Sequence, residues 1–125
     1  TQCIEDRRIT SVNELDAMQK RVARFAAERE WAQYHDAKNL VMALSAEIGE
    51  LSSLFRWVDN KAADGMASEE SFRKALTEEI GDVGILLLLL CNRVSIDLLG
   101  AVSDKLTLNA LKYPLEESRG RAERP

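Results

Sequence analysis

The chain has 125 residues, 46% of them hydrophobic, and a formal net charge of −4. That is one domain's worth of sequence, with enough apolar content for a small core. The acidic balance argues against nucleic acid and against an anionic membrane surface as partners, since both need clustered positive charge.

Two cysteines, Cys3 and Cys91, are too few for a disulfide scaffold in a chain this short. Free thiols in a reducing, cytoplasmic compartment are expected. The first residues carry Glu5, Asp6, Arg7 and Arg8 and lack the apolar stretch of a signal peptide. The longest apolar run, Val83 to Cys91, has nine residues, too few to cross ~30 Å of hydrocarbon as a helix. It reads as a helix buried on nearly all sides, with a subunit interface as one way to cover it. Arg119, Arg121 and Arg124 alternate with Glu123 and read as a solvated tail.

The periodicity is helical almost throughout, and proline occurs only at 114 and 125, so none breaks the body of the chain. Residues 1–10 are expected to be flexible. Ser11-Val12-Asn13-Glu14 has the form of a capping box. Leu15, Met18, Val22 and Phe25 follow as the apolar face of a first helix to about Glu30. Residues 31–36 break the spacing and read as a connector. A second helix is expected over 37–59, a loop around Gly65 over 60–67, and a third helix from a Ser68 cap to about Arg93. After a short break at 95–97, a fourth helix carries Leu99, Val102 and Leu106 and stops at Pro114. The expected organisation is an all-α domain over 11–114 with a tail at 115–125. Its core is a four-helix bundle-like arrangement, assembled as an oligomer.

Two helices carry the chemistry. Leu40, Leu44, Leu51, Leu54 and Val58 form an apolar stripe at 3–4 spacing in which Glu47 takes one position. Phe72, Leu76, Val83, Leu86 and Leu90 form another, in which Glu79 takes the matching position. Each acid is followed three residues later by a second one, in Glu47-Ile48-Gly49-Glu50 and Glu79-Ile80-Gly81-Asp82. A carboxylate in a sheltered stripe costs several kcal/mol unless its charge is compensated. If the second and third helices form an antiparallel hairpin, a rise of about 1.5 Å per residue sets Glu47 and Glu79 at nearly one height. Residues at i and i+3 share a face, so Glu47, Glu50, Glu79 and Asp82 can converge on one cation. Gly49 and Gly81, each costing about 1 kcal/mol in mid-helix, suggest close approach of another backbone or of a ligand. The bland alternative is a bundle whose acids pair with Arg56, Lys74 or Lys105.

An all-oxygen ligand set selects Mg²⁺, with Mn²⁺ as substitute, over zinc or copper. The chain's one histidine, His35, is remote from both acid pairs in sequence, unlike the Glu-x-x-His pairs of di-iron bundles. Mg²⁺ commonly binds together with substrate phosphates, which points to phosphate chemistry.

The acid pairs, with Phe25-Ala26-Ala27-Glu28-Arg29-Glu30-Trp31, His35, Asn39-Leu40, Leu54-Phe55-x-Trp57 and Lys105-x-x-x-Asn109-x-x-Lys112-Tyr113-Pro114 with Ser118-Arg119-Gly120, resemble the MazG-like all-α nucleoside triphosphate pyrophosphohydrolases. The likeness is to their vertebrate dCTP pyrophosphatase branch and spans about residues 13–120. It implies attack of water at the α-phosphorus, giving a nucleoside monophosphate and pyrophosphate. It also implies Mg²⁺ held by the four acids, Glu47 or Glu50 as proton acceptor, and a homotetramer built as a dimer of dimers. Trp31 and Trp57 resemble residues that line or sandwich the base. His35, Asn39, Lys105, Asn109, Lys112 and Tyr113 are the further substrate-binding candidates. The chain departs from that branch at Val22, where a histidine is expected, and at Leu86, where a tyrosine is expected, so the base and sugar preference is left open. Relatives acting on dUTP or phosphoribosyl-ATP, and a non-enzymatic oligomeric helical module, are the alternatives.

Overall fold

The computed structural model describes the backbone of residues 2–122 and the side chains of residues 14–122. The Cys3 side chain and Arg124 therefore lie outside the described residues. The fold is all-α, with no strand among the described residues. Two compact units divide the chain, residues 1–94 and 95–125.

In the first unit, α1 spans Gln2–Glu28. Ser11 to Glu14 thus lies inside this helix rather than at its start. Glu30, in the left-handed region at φ 55°, turns the chain out of α1 into a 3-10 turn over Trp31–Tyr34. The turn fills the connector expected at 31–36. Asp36 then caps α2, Ala37–Leu54, by accepting from the Asn39 backbone N–H at 2.9 Å. The Asn39 side chain donates to the Tyr34 carbonyl at 3.2 Å, tying the turn to the helix start.

α2 ends at Leu54, five residues before the expected end at Asp59. Phe55 leaves the helix and its ring meets Phe72 edge-on, with centroids 5.0 Å apart; this tertiary contact outweighs local propensity. The expected loop contains a short helix α3, Ala63–Met66. α4 spans Glu70–Val94. Its cap comes from Glu69 rather than Ser68: the Glu69 carboxylate accepts from the Ser71 and Phe72 backbone N–H groups at 3.1 and 3.0 Å. Those bonds hold its pKa below the usual glutamate value.

The principal packing is α2 against α4, with α1 added against α4. Val22 and Ala26 of α1, Leu40 of α2, and Leu88 and Cys91 of α4 are buried. The Asn92 side chain donates to the Gln19 carbonyl at 3.1 Å and locks α4 to α1. Both apolar stripes face inward: Leu44, Leu51, Leu54 and Val58, and Phe72, Leu76, Val83, Leu86 and Leu90, are all half-buried. The Val83–Cys91 run is sheltered less completely than expected, since Ile85 stays 42% exposed. Leu40 is only 1% exposed, so Leu40→Ala should cost about 2–5 kcal/mol. A fall in the urea midpoint at constant m-value is the expected readout.

In the second unit, α5 spans Leu98–Lys112 and α6 spans Leu115–Ser118. Ser95, at φ 57°, ends α4, and Asp97 caps α5 by accepting from the Gly100 N–H at 2.9 Å. Leu99, Val102 and Leu106 are 43%, 51% and 64% exposed. Among the described residues, no single helix is long and apolar enough to cross a membrane.

Candidate metal centre

Glu47 of α2 and Glu79 and Asp82 of α4 each offer an oxygen to a group whose ligand atoms all lie within 4.8 Å of one another. The local reason is periodicity. Glu47 occupies a core-facing position of α2, Glu79 the facing position of α4, and Asp82 follows Glu79 by one turn. Glu47 and Glu79 are half-buried and Asp82 is exposed, so the cluster opens to solvent on one side.

Glu79 is the strained member. Its Oε2 is buried and has no hydrogen-bond partner. Desolvation by burial pushes its pKa up first. A hydrogen bond shared with the Glu47 carboxyl adds to the shift, as do the negative charges of Glu47, Asp82 and Glu50. The described ion pairs, Lys20 with Asp16 and Arg29 with Glu28, do not involve these acids. Among the described residues of this unit, neither Arg56 nor Lys74 pairs with them. An orphaned buried oxygen among like charges, with hard oxygen donors only, fits a divalent cation such as Mg²⁺.

Glu50 is exposed and outside the three-acid group, yet its charge reaches Glu79; it stands at the rim. The expected close approach at Gly49 and Gly81 is not made by this chain, because a Cβ at either would meet nothing within 4 Å.

His35 is half-buried and lines a cavity of about 160 Å³ with Asn92 and Arg93. Arg93 lies eleven residues beyond Asp82 on α4, about 16 Å along the axis. Asn39 is engaged with Tyr34. Both therefore belong to the far end of the unit, away from the acids. Trp31 stands edge-on to Phe25, with centroids 5.6 Å apart, and edge-on to His35 at 6.3 Å. Trp57 is 90% exposed in the bend after α2.

The two tryptophans of one chain cannot close on one base. Ala32, next to Trp31, accepts from Arg93 near the end of α4, and Phe55, next to the Trp57 bend, meets Phe72 near its start. Those α4 positions are roughly 30 Å apart. In the second unit, Lys105 and Asn109 line a groove on α5 with Val102 and Leu106. The Lys112 ammonium lies 5.5 Å from the Tyr113 ring centroid, and the Tyr113 N–H donates to the Asn109 carbonyl at 2.7 Å.

One pocket escaped the motif reading. Met18, Arg21, Val22 and Phe25 of α1 and Ile85 of α4 line a cavity of about 300 Å³. Ile85 follows Asp82 by three residues, so this apolar pocket and that acid share a face of α4. Met18, Val22 and Phe25 read from sequence as core. The available signal was the one-turn offset of Ile85 from Asp82.

Similarity to known proteins agrees with this chemistry. No family model matches the chain. It is 42% identical over 108 residues to dCTP pyrophosphatase 1 of Rattus norvegicus, covering 86% of this chain and 64% of that protein. It is 39% identical over 105 residues to dCTP pyrophosphatase 1 of Homo sapiens, covering 84% and 62%. The chain thus spans a little under two thirds of the length of these relatives. A crystal structure of a pyrophosphatase from Archaeoglobus fulgidus superposes with a TM-score of 0.75 at 33% identity, covering 81% of this chain and 93% of that one. With paired acids on packed helices, an all-α fold and this extent of likeness, the chain belongs to the MazG-like all-α nucleoside triphosphate pyrophosphohydrolase family.

Proposed function

We propose that the protein hydrolyses deoxynucleoside triphosphates, dCTP or a modified dCTP first among them, to the monophosphate and pyrophosphate, and so cleans the nucleotide pool. The observation that carries this reading is the orphaned, buried Glu79 Oε2 within a three-acid cluster. Support comes from the relatives named dCTP pyrophosphatase 1. Glu47, Glu79 and Asp82 would hold the ion, on an antiparallel α2–α4 pair, with Glu50 at the rim. Mg²⁺, when bound, neutralises phosphate charge and makes water more acidic. Glu47 or Glu50 accepts the proton of the attacking water. As its oxygen bonds to the α-phosphorus, the bond to the bridging oxygen breaks and pyrophosphate leaves. The apolar pocket beside Asp82 takes the base, with Trp31 behind Phe25 as its backing.

The same reading includes a homotetramer. Met42, Leu106 and Leu111 are 63%, 64% and 76% exposed, and a second copy would cover such side chains. Trp57, which cannot reach the Trp31 end of its own chain, would meet a second copy in that assembly.

Incubation with each NTP, dNTP, dUTP and phosphoribosyl-ATP plus Mg²⁺, with products resolved by ion exchange, tests the proposal. Monophosphate and pyrophosphate are expected, with the highest kcat/KM on dCTP or a modified dCTP. Release of two orthophosphates, or no turnover of any substrate, would overturn it.

A further inference from the structure

The pocket between α1 and α4 has one charged lining residue, Arg21; the other four, Met18, Val22, Phe25 and Ile85, are apolar. Arg21 is exposed and so stands at the mouth. Three other arginines of this unit are engaged: Arg29 lies over the Phe25 ring at 3.7 Å, Arg73 donates to the Ala67 carbonyl, and Arg93 donates to the Ala32 carbonyl; Arg24 and Arg56 do not line this pocket. Arg21 has no ion pair and no side-chain hydrogen bond among the described residues. An uncommitted arginine on a helix surface is ordinarily solvated. Here its position at an apolar slot whose Ile85 follows Asp82 by three residues on α4 gives it a different use.

Resting on the nucleotide reading above, we propose that Arg21 is a specificity-determining residue. Its guanidinium donates a bidentate pair to the O2/N3 edge of cytosine and disfavours uracil and thymine. A guanidinium is a planar fork of donors with no acceptor. Cytosine presents two adjacent acceptors, O2 and N3, that match the fork. Uracil and thymine carry N3–H between O2 and O4, which sets donor against donor. The four apolar lining residues offer the base edge no competing side-chain partner.

The test compares kcat/KM for dCTP and dTTP in the wild type, in Arg21→Met, which keeps an apolar stem, and in Arg21→Lys, which keeps charge without the fork. Arg21→Met is expected to lower the dCTP value by about 10- to 100-fold and to change the dTTP value by less than about threefold. Arg21→Lys should recover little of the dCTP loss. Equal losses on both substrates would assign Arg21 to the phosphates and overturn the inference, as would an unchanged dCTP value.

A second arm uses nucleosides, which have no phosphate and need no metal. An NMR titration of Phe25 and Ile85 signals is expected to show deoxycytidine binding more tightly than thymidine in the wild type, with the preference lost in Arg21→Met. If the wild type turns over no triphosphate, the proposed function fails, and this arm still decides the base reading. If turnover is normal but no nucleoside preference exists, Arg21 alone is wrongly assigned.

Discussion

Glu47→Gln and Asp82→Asn are each expected to reduce turnover by at least about 100-fold, with far-UV circular dichroism unchanged. The size follows from what is removed. Changes that only reorient metal ligands typically cost 10- to 100-fold, and each of these substitutions deletes a charged oxygen donor from the three-acid group. The fold should survive because neither side chain contributes to the buried apolar core of Val22, Ala26, Leu40, Leu88 and Cys91. Isosteric amides also keep the volume of each site. Loss of helical signal alongside loss of turnover would instead make these acids structural.

Glu79→Gln separates metal binding from folding. Burial, the hydrogen bond with Glu47 and the neighbouring charges raise the Glu79 pKa in the folded state above its ordinary value of 4.5. A raised acid favours folding while it is protonated. That contribution is complete below the unfolded value and is lost as pH rises through the folded one. In metal-free buffer, the Tm of the wild type relative to Glu79→Gln should therefore fall as pH rises above about 4.5. At neutral pH the variant should be the more stable protein. Mg²⁺ reverses the order. At roughly 100 times its Kd, linkage raises the wild-type Tm on the order of 10 °C, while Glu79→Gln should show little shift. An identical Mg²⁺ response in both proteins, followed by scanning calorimetry, would remove Glu79 from the ligand set.

These two experiments bear on the feature that was most legible in the chain. An acid standing where a helical stripe calls for a hydrophobe is visible without coordinates, and the stripes around Glu47 and Glu79 are the sheltered faces of α2 and α4. The breaks at 31–36 and 95–97 were legible for the same local reason. Less legible were the end of α2, decided by Phe55 meeting Phe72, and the cap of α4, where Glu69 acts in place of the adjacent Ser68. Trp31 and Trp57 were matched by resemblance as a pair, but their positions along α4 separate them within one chain.

Residue order alone determined that this protein is helical and that two of its helices present acids inward. Spacing at 3.6 residues per turn assigns every side chain to a face before any packing occurs. Which faces meet is a different matter. The contact of Glu47 with Glu79, the burial that leaves Glu79 Oε2 without a partner, and the placing of Arg21 and Ile85 around one pocket join residues more than 30 positions apart. Their proximity is set by how α1, α2 and α4 share a core, and local periodicity carries no information about that choice.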